Sequence, residues 1–282
     1  MSKPNFQGYS TGEVVPRGER AYVVGERLSH GGFGAVYACR DEWGNPLRLR
    51  VLWPISRAYE NVRERWLEQL EEVRRAAHPR LVHIYEGFEH SGFFHLVTER
   101  YDHRLDSSVL EAGEGGPRWL QAVAGPVLCA LDHLHRAGYT HRNLHPGNVF
   151  LTASPEPATA LPAGGGIKLG GLAVTQLLGN VDVLNLLTAR WLVPPEYLNP
   201  SEFGRMDQRV DIYQAGLLLL AVLQGQLPRF SFEEIVAGAP ARVARELGSE
   251  ALERALQPKV GDRFGSALEL WRALEAGGAG TL

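Results

Sequence analysis

The residues with the chemical types of an active site are gathered in one stretch, Tyr139 to Leu151 (YTHRNLHPGNVFL), which holds His141, Arg142, Asn143, His145 and Asn148. A site that takes a proton from a hydroxyl needs a base with a usable pKa, and the amide of Asn143 has none at neutral pH. A site that holds Mg²⁺ needs hard oxygen ligands, and here the ligand on offer is the neutral amide of Asn148. Downstream, the stretch IKLGGLAV places Gly171, which brings no side chain at all. Neither stretch carries a carboxylate.

Other elements must hold these residues in place. From Pro117 onward Leu120, Val123, Val127, Leu131 and Leu134 recur at helical spacing, and that helix delivers the chain to the 139–151 loop. Upstream, Tyr22 to Trp53 reads as two strands across a Gly-rich turn, then a hairpin at Trp43-Gly44-Asn45-Pro46 into a third strand. Gly31 and Gly34 let backbone N–H groups approach phosphate oxygens, while a tight hairpin with no ligand accounts for the same glycines. Strand side chains alternate, so Arg48 and Arg50 share one face while Leu47, Leu49 and Val51 share the other. Val62 to Ala77 carries Trp66, Leu67, Leu70 and Val73 at helical spacing and ends at His78-Pro79. Two strands follow, LVHIYEGFEH and FFHLVTERY. Thr152 to Gly166 is a loose, Pro-, Ala- and Gly-rich loop.

Composition narrows the classes. A chain of 282 residues suits one domain of two lobes or two small domains. A net charge of −3 gives no electrostatic case for nucleic acid or an anionic membrane. Cys39 and Cys129 are too few for a disulfide framework or a zinc site, which favours a reducing cytoplasm. The N-terminus has no apolar core of a secretory signal, and the run Ala215 to Leu223 is too short to cross a bilayer. Residues 1–20 read as a flexible leader.

In order and spacing these stretches resemble the protein kinase superfamily, and more particularly bacterial serine/threonine kinase domains, over about Tyr22 to Leu274. Ser29, Gly31, Gly34 and Val36 stand in the glycine-rich loop pattern G-x-G-x-x-G-x-V. Leu47-Arg48-Leu49-Arg50 stands at V-A-I-K, so Arg50 takes the place of the phosphate-pairing Lys. With Lys3, Lys168 and Lys259 as the only lysines, general drift toward Arg is one account of Arg50. Arg48 takes the place of a small Ala beneath adenine, where it either fills the base's space or snorkels to solvent. Gln69, flanked by Glu68, falls on the helix Glu that pairs with that Lys. His141, Arg142 and Asn148 match H-R-D-x-x-x-x-N, with Asn143 at the catalytic Asp and His145 at the phosphate-steadying Lys. Gly171 falls on the metal-binding Asp of D-F-G. Phe150 replaces a smaller residue under the adenine and, with Arg48, could close the pocket by a cation–π contact. Glu196 and Arg263 match the ion pair of the A-P-E motif, Asp211 and Gly216 the buried helix D-x-x-x-x-G, and His141 is expected to pair structurally with Asp211.

The resemblance implies an α+β, two-lobed kinase fold. The expected division is a leader over 1–20, a small antiparallel β-sheet lobe with one main helix over 21–101, a mostly helical lobe over 102–276, and a tail over 277–282. Positions that support the fold match the pattern, and positions that do chemistry depart from it. Two functions follow from that sorting. One is a pseudokinase that serves as a protein-interaction or regulatory module, with a protein partner such as an active kinase or a signalling or secretion component, no metal, and ATP binding weak or absent. The other is an atypical nucleotide-dependent serine/threonine kinase or transferase. The apolar segment Val174 to Val193 reads as a turn packed in the cleft or as an exposed docking surface.

Overall fold

The computed structural model describes residues 7–31, 34–52, 59–101, 103–105, 110, 116–151, 166–172 and 193–278, and of residues 31, 59–63, 65, 69 and 278 only their place in a strand or helix. The expectation for Val174 to Val193 lies outside the described residues except at Val193, as do most of the 152–166 loop and the tail beyond Gly278. The described chain divides into two compact units, one of residues 7–77 with 82–100, the other of 78–81 with 101 onward.

The N-terminal unit is a curled, fully antiparallel sheet in the order β1-β2-β3-β4-β6-β5. Its strands are β1 (Val14–Arg17), β2 (Arg20–Gly31), β3 (Gly34–Arg40), β4 (Pro46–Leu52), β5 (Ile84–His90) and β6 (Phe93–Glu99), with α1 (Tyr59–Arg75) between β4 and β5. Alternation on β4 sends Leu47, Leu49 and Val51 into a core with Tyr22, Val24, Tyr37, Phe88 and Val97. On the other face of the sheet, Phe94 meets Trp66 of α1, with ring centroids 4.8 Å apart. Helix and sheet come close enough there that a Cβ on Gly87 would run into Leu70 and Trp66.

The expected flexible leader is corrected from residue 7 onward. Val14–Arg17 pairs with β2 in register Val14↔Val23 to Arg17↔Arg20, across a turn at Gly18-Glu19. A four-residue strand is too short to show a period, so its partner strand was the missing information.

The C-terminal unit opens with a small sheet, β7 (His103–Arg104), β8 (Val149–Leu151) and β9 (Ile167–Leu169), in that order. The unit continues through α2 (Pro117–Arg136), which packs on β9, and α3 (Pro195–Leu198), α4 (Pro200–Phe203), α5 (Arg209–Gln224), α6 (Phe232–Val236), α7 (Ala239–Glu246), α8 (Glu250–Ala255) and α9 (Ala267–Gly278). Helix α2 buries Val123, Val127, Leu131 and Leu134, whereas α5 is buried on every side from Val210 to Val222. A helix apolar all round is either a core helix or a membrane span. At 16 residues α5 is the core helix, and no helix of the described residues is long and apolar enough to cross a membrane.

Candidate functional site

Helix α5 holds the loop at 139–151 from below. Asp211 and Gln214, three residues apart, project from one face of the helix, and both are fully buried. Asp211 accepts hydrogen bonds at Oδ2 from the His141 N–H (2.7 Å) and the His135 ring (2.8 Å), and at Oδ1 from the Arg142 N–H (2.7 Å). Gln214 accepts from the Leu144 N–H at 3.0 Å and donates to the Arg142 carbonyl at 3.4 Å. Between these clamps Arg142 sits at φ 60°, the left-handed region that side chains disfavour. A buried carboxylate with three donors is well compensated, and it fixes a loop that would otherwise relax.

His141 pairs with Asp211 through its backbone N–H, while its ring turns elsewhere. Nε2 lies 2.8 Å from the Gly170 carbonyl and Nδ1 accepts the Asn143 N–H at 3.2 Å. A carbonyl only accepts, so Nε2 carries the proton. Burial pushes the His141 pKa below its ordinary value, against the pull of Asp211. With both nitrogens engaged, this imidazole is structural.

The positions expected to hold metal and move phosphate have other uses. Asn148, 7% exposed, donates its side-chain N–H to the Asn143 carbonyl at 2.8 Å, and its backbone carbonyl takes the Gly170 N–H at 2.8 Å. Gly171 follows at φ 85°, and a Cβ there would stand 2.5 Å from Cγ and Nδ2 of Asn148. With Asn148 so placed, residue 171 has room for no side chain. His145 accepts the Gly147 N–H at Nδ1 (3.1 Å) and so caps the 3₁₀ turn Pro146–Asn148. This donor set does not fit Mg²⁺, which takes oxygen ligands in near-octahedral array.

Phe150 is buried in β8, its ring centroid 3.5 Å from that of Tyr101. In the N-terminal unit, Arg48 is 8% exposed, which rules out the snorkelling reading; it stands across from Ala38 and Thr98. Arg50 is half-buried between Val36 and Leu96. Gly34 has a fold reason of its own, because a Cβ would strike the Val51 carbonyl oxygen. Gly31 pairs with Gly34 at the end of the β2–β3 ladder, and the turn residues between them lie outside the described residues.

Glu196 and Arg263 form a bidentate pair at 2.7 Å on each arm, both side chains fully buried. The remaining guanidinium donors reach the carbonyls of Gln257, Pro258 and Arg209, so all five are used. The sequence reasoning missed Gln214 and His135. The signal for Gln214 was present: an amide inside VDIYQAGLLLLAVL must find partners in the core.

The description Protein kinase domain matches residues 22–244. Serine/threonine-protein kinase PksC of Streptomyces coelicolor is 26% identical over 282 residues, covering 95% of this chain and 48% of that protein. Serine/threonine-protein kinase PEPKR2 of Arabidopsis thaliana is 27% identical over 210 residues, covering 73% and 40%. The chain thus spans less than half the length of these two relatives. Among solved structures, the PknI kinase domain of Mycobacterium tuberculosis superposes with a TM-score of 0.69 at 22% identity, covering 96% of this chain and all of that one.

Proposed function

The chain belongs to the protein kinase domain family, and from that premise we propose that it is a pseudokinase, a kinase fold used as a protein-interaction or regulatory module. The observation that carries the reading is the pair Asn148 and Gly171: the side-chain oxygen that Asn148 offers belongs to a neutral amide, and position 171, at φ 85° with the Asn148 side chain 2.5 Å from where a Cβ would stand, brings no carboxylate. Phosphoryl transfer rests on electrostatic positioning by metal and cations, so losing a metal ligand removes the largest contribution. Loss of the general base at Asn143 takes a further factor of about 10²–10⁴ in rate. Neither ATP nor Mg²⁺ binds appreciably in this reading. The partner is a protein, such as an active kinase or a signalling or secretion component, and the setting is the cytoplasm.

One observation favours a second reading. Arg50 retains a cation at the phosphate-pairing position of β4, half-buried rather than withdrawn, as an atypical ATP-dependent serine/threonine kinase requires. Incubation of the purified chain with γ-labelled ATP, Mg²⁺ and a generic acceptor protein separates the two. The pseudokinase reading expects no incorporation above a heat-killed control. Label that disappears in Asn148→Ala establishes the second reading.

A further inference from the structure

Residues 12–17 cover the edge of the N-terminal sheet beside β2, and Tyr9 before them packs on its core face, with the contacts of a bound peptide. Tyr9 sits against Tyr37 and His95, with its ring 5.8 Å from Tyr37 and 5.9 Å from His95, and His95 in turn stacks on Phe88 at 5.0 Å. His95 is fully buried, and its Nδ1 lies 3.0 Å from the Phe93 carbonyl. Nδ1 therefore carries the proton, and Nε2 accepts from the Tyr9 hydroxyl at 2.7 Å. Burial holds the His95 pKa down at about 4, so the imidazole stays neutral and remains an acceptor.

Backbone pairing runs on from this anchor. The Tyr9 N–H donates to the Tyr37 hydroxyl at 3.1 Å, the Gly12 N–H to the Val24 carbonyl at 2.7 Å, and the Val24 N–H to the Glu13 carbonyl at 2.8 Å. Val15 is fully buried in the groove. At the far end Arg17 bonds Glu86 of β5 at 3.1 Å and lies over the Phe88 ring at 5.4 Å. Main-chain bonds for affinity and spaced side-chain pockets for selection are how sheets recognise extended peptides. Ser10 to Val14 are exposed on their outer side, and one row of pairing with three side-chain anchors is a weak hold.

We propose that this groove is a peptide-binding site, occupied in cis by residues 8–17 and open to an extended strand of another polypeptide that carries Tyr, an aliphatic residue six positions on, and a basic residue two beyond that. It lies on the face of β4 opposite Arg48 and Arg50 and stands whether or not the chain transfers phosphate. Displacement of the strap by the partner strand is the regulated event.

The probe is a fluorescein-labelled synthetic peptide of residues 8–17, its binding read by anisotropy on the 282-residue chain and on its Tyr9→Ala variant. The Tyr9→Ala chain, whose own strap competes poorly, binds the probe about tenfold or more tighter than the parent. A probe with Phe in place of Tyr9 binds that variant about tenfold more weakly, because His95 Nε2 is left without its donor. Equal binding by the two chains, or none by either, overturns the proposal. If Tyr9→Ala does not fold, amide exchange on the parent chain decides. Exchange at Gly12 and Val24 about tenfold or more faster than at Val51 means the strap opens while the sheet persists. Exchange at one common rate means it leaves only on global unfolding, and overturns the proposal.

Discussion

Asp211 and Gly171 flank the same loop and have met opposite fates. At 211 a fully buried carboxylate keeps three hydrogen-bond donors around it. At 171 a position that would take a carboxylate in a working kinase has no side chain, and Asn148 fills the space. The difference separates two jobs that sequence motifs list together. Asp211, Gln214, Glu196 and Arg263 give the loop and its lobe their shape without facing a ligand. The loop's form therefore stands without a carboxylate at 171. Buried charges are costly to strand, which protects the first set, while a vanished metal ligand costs the fold nothing.

Several substitutions break or sharpen that contrast. Arg263→Ala leaves Glu196 buried without its guanidinium and is expected to cost about 3–5 kcal/mol in chemical denaturation. Asp211→Ala strands three donors at once, with an expected cost of about 3 kcal/mol; a loss near zero would mean that α5 does not hold the loop. Gly171→Asp, which restores the family's residue, is expected to destabilise by about 2 kcal/mol, from positive φ and the contact with Asn148. A gain in stability for that variant on adding Mg²⁺ would break the contrast.

Acidification tests the buried histidines. Both His95 and His141 have folded pKa values below the ordinary 6.5, His95 at about 4. Between these values the unfolded chain binds protons that the folded chain does not. Stability is therefore complete above pH 6.5 and falls as pH drops toward 4, by up to about 1.4 kcal/mol per pH unit from His95. Denaturation at stepped pH should show this slope, and His95→Phe should flatten it. The smallest effect expected is about 1 kcal/mol for Gln214→Leu, which removes two loop hydrogen bonds but fills the core.

Much of this was legible in the sequence. The helical stripes of α1 and α2, the alternation of β4 and the apolar length of α5 each announce their element, because burial repeats with the element's own period. Spacing between Asn143, Asn148 and Gly171 located the loop, but only coordinates could show the Asn148 amide filling the place of a side chain at 171. The role of His141 was half legible: its link to Asp211 could be anticipated, whereas the use of its backbone rather than its ring depends on the turn at Arg142. Strand β1 and the Tyr9 anchor were invisible, since a four-residue strand has no period and Tyr9, five residues before it, finds its partner as far away as His95. His145, which stands in place of the phosphate-steadying Lys, is a turn cap, because an imidazole two residues before an N–H can serve that N–H locally.

The central claim is that the loop has kept its frame and lost its metal. A thermal melt of the intact chain with ATP, compared with and without Mg²⁺, tests it most directly. The account predicts no magnesium-dependent rise in melting temperature. A magnesium-dependent stabilisation of about 2.7 kcal/mol, the signature of ligand at a hundredfold over its Kd, would contradict it.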